Sequence, residues 1–166
     1  MIGQRDDAVL PTVLDWQDAD VLSRANIVPA TGLATDYLNV FNEAVMLLGL
    51  LPDMPELIDE LVAWEPLTYE QHFARSGFQA KELAILAYQN APLSIKQPFD
   101  QLSHETRDLL QHAIINANQL IASGSDLTRF VAETTTALQS AILVLDGMVH
   151  GGHIGGAQGD IDALFD

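Results

Sequence analysis

Three groups of residues have types and spacings that bear on chemistry. Asp36, Asn39 and Glu43 recur at i, i+3 and i+7, so a helix would set them in one stripe, with Asn42 beside it. Carboxylate and amide acting together form a polar site, and the surrounding sequence supplies no cation to neutralise the acids. The same stripe is equally the strip of a mostly apolar helix that reaches water. Asp108 and Gln111 are a second acid–amide pair, three residues apart and therefore only loosely side by side. The third candidate is the imidazole of His72 in "EQHFARSGF".

Metal chemistry finds little support. Di-iron bundles require Glu-x-x-His, and none of the eight glutamates has a histidine three residues later. His104, Asp108 and His112 lie at i, i+4 and i+8, a spacing compatible with a metal, but they fall among Arg107, Gln111 and Gln119 on what reads as a solvated polar face. His150 and His153 sit in a glycine string that fixes no ligand geometry. The chain has no cysteine, no Gly-x-Ser-x-Gly elbow and no phosphate-cradling glycine loop. No metal and no cofactor is expected.

The elements that must position these groups are helices. Apolar residues recur at helical spacing and no useful strand-like alternation occurs. The clearest pair spans about 103–123 and 126–149. Ser103 is read as the N-cap of the first helix and Gly124 as its C′ residue, so the short connection makes an antiparallel hairpin. "ATDYLNVFNEAVMLLGLLP" predicts a central helix capped near Thr31 or Thr35 and stopped by Pro52, apolar nearly all round. "MPELIDELVAWEP", "TYEQHFARSG" and "FQAKELAILAYQNAP" give three shorter helices, and "DWQDADVLSRAN" one more. The segment 89–99, with Pro92 and Pro98, reads as a connector. The expected fold is all-α: a bundle of five to seven helices over residues 1–149, loosely packed over 1–30, ending in a long antiparallel hairpin. Residues 150–166 form a glycine-rich linker and a short terminal peptide.

At 166 residues, 48% of them hydrophobic, the chain builds its own core. Its net charge of −16 disfavours both nucleic acid and anionic membranes as partners. Between Arg24 and Arg75 there is no Lys or Arg but eight acids, a surface suited to solubility and to basic partners. The longest apolar run, "AVMLLGLL", is too short to span a bilayer, and nothing at the N-terminus reads as a signal peptide, so the expected compartment is the cytoplasm.

The end of the chain is the most informative stretch. In "GGHIGGAQGDIDALFD", Ile161, Leu164 and Phe165 share one face of a short helix, Asp160 can cap it, and Asp162 and Asp166 lie off that face. So short a helix is marginal alone, but on a glycine tether it can fold as it docks. The string resembles the receiver-docking peptides of bacterial chemotaxis, those of the switch protein FliM and the phosphatase CheZ, at Gln158, Asp160, Ile161, Asp162, Leu164 and Phe165. The resemblance covers about ten residues and implies a CheY-like receiver domain as partner. The order of hairpin, linker and peptide also resembles CheZ. However, the Asp-x-x-x-Gln that CheZ uses in catalysis is absent, as is the Glu-x-x-Asn of the CheC and CheX phosphatases. His72 with Arg75 and Ser76 resembles the His-x-x-Lys-Gly of phosphotransfer domains, with serine at the glycine position. The leading expectation is a non-enzymatic adaptor or regulator in two-component or chemotaxis signalling. Two alternatives stand beside it. One is a phosphatase or phosphotransfer protein using Asp108 and Gln111, the Asp36/Asn39/Glu43 stripe, or His72; the other is a helical domain of unrelated role. The helical hairpin also offers a face for a homodimer.

Overall fold

The computed structural model describes residues 15–152. They form seven α-helices and two 3₁₀ turns; among the described residues there is no strand, only one antiparallel bridge between Val28 and Leu33. The helices are α1 (Ala19–Arg24), α2 (Asn39–Leu50), α3 (Ile58–Val62), α4 (Tyr69–Arg75), α5 (Lys81–Gln89), α6 (Leu93–Ala122) and α7 (Thr128–Val149). The 3₁₀ turns, Thr35–Leu38 and Pro55–Leu57, lead into α2 and α3. The fold is the expected all-α bundle with a long terminal hairpin, and no helix among the described residues is long and apolar enough to cross a membrane.

Local chemistry sets four of the helix ends. Asp18 caps α1 by accepting hydrogen bonds from Asp20 N and Val21 N at 2.9 and 3.3 Å. Thr68 and Gln71 form a reciprocal capping box at the start of α4. Gly124, at φ +71°, closes α6, with Gly124 N donating to Ile121 O and Ser125 N to Leu120 O. The same arrangement ends α7: Gly151 has φ +83°, and Gly151 N and Gly152 N donate to Met148 O and Gly147 O. Gly147 lies within the helix, and Gly151 and Gly152, the first glycines of the terminal string, close it; the rest of the string lies outside the described residues.

Three details depart from the sequence expectation. Helix α6 begins at Leu93, ten residues before Ser103. Pro92 supplies its extended entry, and Pro98 is accommodated near its start, losing the bond it would have made to Ser94 while Phe99 and Leu102 bury completely behind it. Ser103 is therefore not a cap. It is buried in mid-helix, and its Oγ is the one buried side-chain polar atom without a hydrogen-bond partner among the described residues. Helix α2 is not buried all round: Val40, Phe41, Ala44, Val45 and Leu48 face the core, while Asn42, Glu43, Met46 and Leu50 are exposed. The described part of the N-terminal segment is also tied in firmly, with Leu22 and Ile27 in the core and the chain held against α5 at Gly32. There φ is +73° and an added Cβ would meet Ala87 O at 2.9 Å.

The core has two parts. Aliphatic residues of α2, α6 and α7 fill the bundle, including Leu48, Leu110, Leu138 and Leu145. Toward the other end lies an aromatic cluster of Tyr37, Phe41, Tyr69, Phe73, Tyr88 and Phe99. Tyr69 and Tyr88 stack at 4.4 Å, and Tyr37 meets Phe41 edge-on. Burying phenols demands partners for their hydroxyls. Tyr37 Oη donates to Leu67 O and accepts from Arg107; Tyr69 Oη accepts from Ala34 N; Tyr88 Oη donates to Asp100 Oδ1.

Candidate functional site

Two candidates that sequence reasoning kept apart meet here. Asp36 sits in the 3₁₀ turn before α2, and His72 on α4, whose capping box fixes its register. Nε2 of His72 lies 2.8 Å from Asp36 Oδ2. The His72 side chain is 15% exposed and meets Tyr37 and Phe73 edge-on, so the imidazole is fixed by packing as well as by the carboxylate. Asp36 is more accessible, at 37%. Its Oδ1 receives only a long 3.4 Å contact from Asn39 Nδ2. Asp36, Asn39 and His72 thus form one polar group where the 3₁₀ turn, α2 and α4 converge. Glu43 lies one turn further along α2, exposed, and joins none of the group's hydrogen bonds. The sequence signal for the group was the Asp36/Asn39 spacing; nothing local links it to His72, 36 residues away.

The carboxylate and amide open onto a cleft of about 490 Å³. Ile27, Pro29 and Phe78 give it apolar walls, and Asn26, Thr35 and His150 add polar atoms. Among the described residues no Lys or Arg lines it. Asn26 holds its place with φ +63°, a left-handed conformation that asparagine tolerates at the end of α1. His150 is the C-cap of α7, its Nδ1 on Asp146 O at 2.8 Å, so the cleft borders the end of that helix. That point is anchored: Thr31 Oγ1, fully buried, donates to Val149 O at 2.6 Å, and Leu33 N donates back to Thr31 Oγ1.

The structure does not unite Asp108 and Gln111. Asp108 pairs with His104 at 3.3 Å on the exposed side of α6. Gln111 instead lines a shallow apolar depression with Val62, Trp64, Ile114 and Ile115, to which Asp108 does not contribute. His112 bonds through Nδ1 to Asp108 O, so the His104/Asp108/His112 stripe is a solvated face satisfied within its own helix. No group of three His, Asp or Glu side chains among the described residues could hold a metal.

One polar cluster escaped the sequence reading. Asp100 on α6 accepts from Tyr88, and burial pushes its carboxyl above the usual carboxylate range even though Tyr88, Lys96 and Arg107 pull the other way. Burial likewise raises the Tyr37, Tyr69 and Tyr88 hydroxyls, with Arg107 opposing this at Tyr37 and Asp100 adding to it at Tyr88. Lys96 lies over the Tyr88 ring, 4.6 Å from its centre. Arg107 is the only basic side chain that bonds a buried phenol among the described residues. The cluster reads as packing chemistry, because each phenol hydroxyl closes within the core, on the backbone of Ala34 and Leu67 or on the side chains of Asp100 and Arg107.

The proposed partner-binding residues Gln158, Asp160, Ile161, Asp162, Leu164 and Phe165, and His153 before them, lie outside the described residues. No protein-family model, no curated protein and no solved structure matches this chain.

Proposed function

We propose that this protein is an adaptor or regulator of two-component or chemotaxis signalling, and that it captures a CheY-like receiver domain through residues 158–166. The observation that carries this is the terminal sequence pattern Gln158, Asp160, Ile161, Asp162, Leu164, Phe165, acidic residues interleaved with apolar ones after a glycine-rich stretch. An acidic peptide of that pattern suits a lysine-bearing surface. Two features of the bundle favour an adaptor over a phosphatase or a phosphotransfer protein. Asp108 and Gln111 address different surroundings, and His72 presents its Nε2 to Asp36 rather than to solvent. The proposed setting is cytoplasmic.

The test is a titration of a CheY-like receiver with the full chain, with the chain lacking 155–166, and with peptide 155–166 alone. Full chain and peptide should bind with micromolar affinity at best, because the peptide must order as it docks, and the truncated chain should not bind. Phe165→Ala should cost on the order of 2 kcal/mol, roughly thirtyfold, as the loss of an aromatic anchor. Intact binding by Phe165→Ala together with a melting temperature lowered by several degrees would make the tail part of the fold and end the proposal.

A further inference from the structure

We infer that the cleft beside the Asp36–His72 pair is a binding site for an alkylammonium group, a primary ammonium on an apolar stem. The inference is independent of the receiver proposal and rests on the geometry of the cleft alone.

The walls of Ile27, Pro29 and Phe78 match a methylene chain, and about 490 Å³ accommodates an extended side chain or a small diamine. Among the described lining residues Asp36 alone carries a fixed charge opposite to a cation, and none is a Lys or Arg. Hydrogen-bond capacity then selects the kind of cation. Asp36 Oδ2 already accepts from His72 at 2.8 Å, which crowds the side-on approach a guanidinium needs to pair with both oxygens and favours the single-point approach of an ammonium. Oδ1 retains capacity beyond its long contact with Asn39. Asn39 and Thr35, both lining residues, carry an amide oxygen and a hydroxyl, further acceptor types for the remaining N–H donors of an ammonium. A metal ion is a poorer fit, since no three-ligand cluster exists among the described residues. His72 acts as a positioning residue: it holds the carboxylate in one orientation while the oxygen it leaves uncommitted receives the ligand.

The ammonium can come from a lysine side chain of a docked protein or from a free alkylamine, and one experiment separates them. The ¹⁵N-labelled full chain is titrated with Nα-acetyl-lysine methylamide, the norleucine and arginine analogues, and 1,5-diaminopentane, following the amides of Asn26, Thr35 and Asn39. The expected result is saturable shifts with the lysine derivative and the diamine, at least fivefold weaker binding of the arginine analogue, and no saturable shifts with norleucine. Tighter binding of the lysine derivative assigns the site to a protein side chain; tighter binding of the diamine assigns it to a free amine. Asp36→Asn should weaken binding at least tenfold. Asn39→Ala, on an exposed position that leaves the core alone, should weaken it severalfold. Equal shifts with norleucine, no saturable shifts with either ammonium ligand, or wild-type affinity in a folded Asp36→Asn chain would overturn the inference.

Discussion

His72 Nε2 and Asp36 Oδ2 are 2.8 Å apart across 36 residues of sequence, and this polar contact joins the turn before α2 to helix α4 beside the packing of Tyr37 on Tyr69. Its energy is bounded by partial exposure of the acid, so most of the value of His72 lies in its edge contacts with Tyr37 and Phe73. His72→Ala should lower stability by about 1–2 kcal/mol. A double-mutant cycle with Asp36→Asn, measured by urea unfolding, should return a coupling of about 0.5–1 kcal/mol. Additive effects would show the contact to be energetically idle.

Thr31 closes the end of α7 by donating to Val149 O. Thr31→Val keeps the shape and removes the donor, leaving a buried carbonyl unpaired, and should destabilise by about 1–3 kcal/mol. Hydrogen exchange should accelerate first in the last turn of α7, at the amides of Met148 and Val149. Receiver binding by the terminal peptide should not change.

Burial raises the Asp100 carboxyl above its unfolded value, so ionising it works against the fold. Its contribution is fully present below the ordinary carboxylate range and is lost as pH rises from that range through the higher folded value. Asp100→Asn, which still accepts from Tyr88, should therefore gain stability over wild type as pH climbs from the acid side to neutrality. Chemical unfolding of both proteins across that interval checks the sign. A constant difference would place the origin elsewhere than in titration.

The separation of Asp108 from Gln111 predicts no acceleration of receiver dephosphorylation when the full chain is mixed with a phosphorylated receiver. A rate increase abolished by Gln111→Ala would restore the phosphatase reading.

Charge at the docking tip should contribute through long-range attraction. Asp162→Asn should weaken receiver binding less than Phe165→Ala does, and the deficit should shrink in high salt, where a rim charge is screened. A deficit that persists in high salt would mean that Asp162 is buried at the interface.

Local sequence determined the helices and their ends, because the forces involved act within a few residues. Thr68 and Gln71 specify a capping box, Gly124 a left-handed closure, and the apolar spacing of Leu109, Leu110, Ala113 and Ala117 a hairpin face. The same locality explains the misreadings. Pro98 and Ser103 carry breaker and cap signals, yet burying Phe99 and Leu102 against the bundle overrode both and extended α6 by ten residues. Tertiary structure alone decided the site. Asp36 and His72 belong to segments that share no periodicity, and it is the packing of Tyr37 against Tyr69 and His72 that brings them together. Sequence spacing also suggested that Asp108 and Gln111 act as a pair, but the packing of α3 against α6 gave Gln111 to the apolar depression beside Trp64 and left Asp108 to His104. A helix sets which residues are neighbours along its surface; only its packing partners set which of them share an environment.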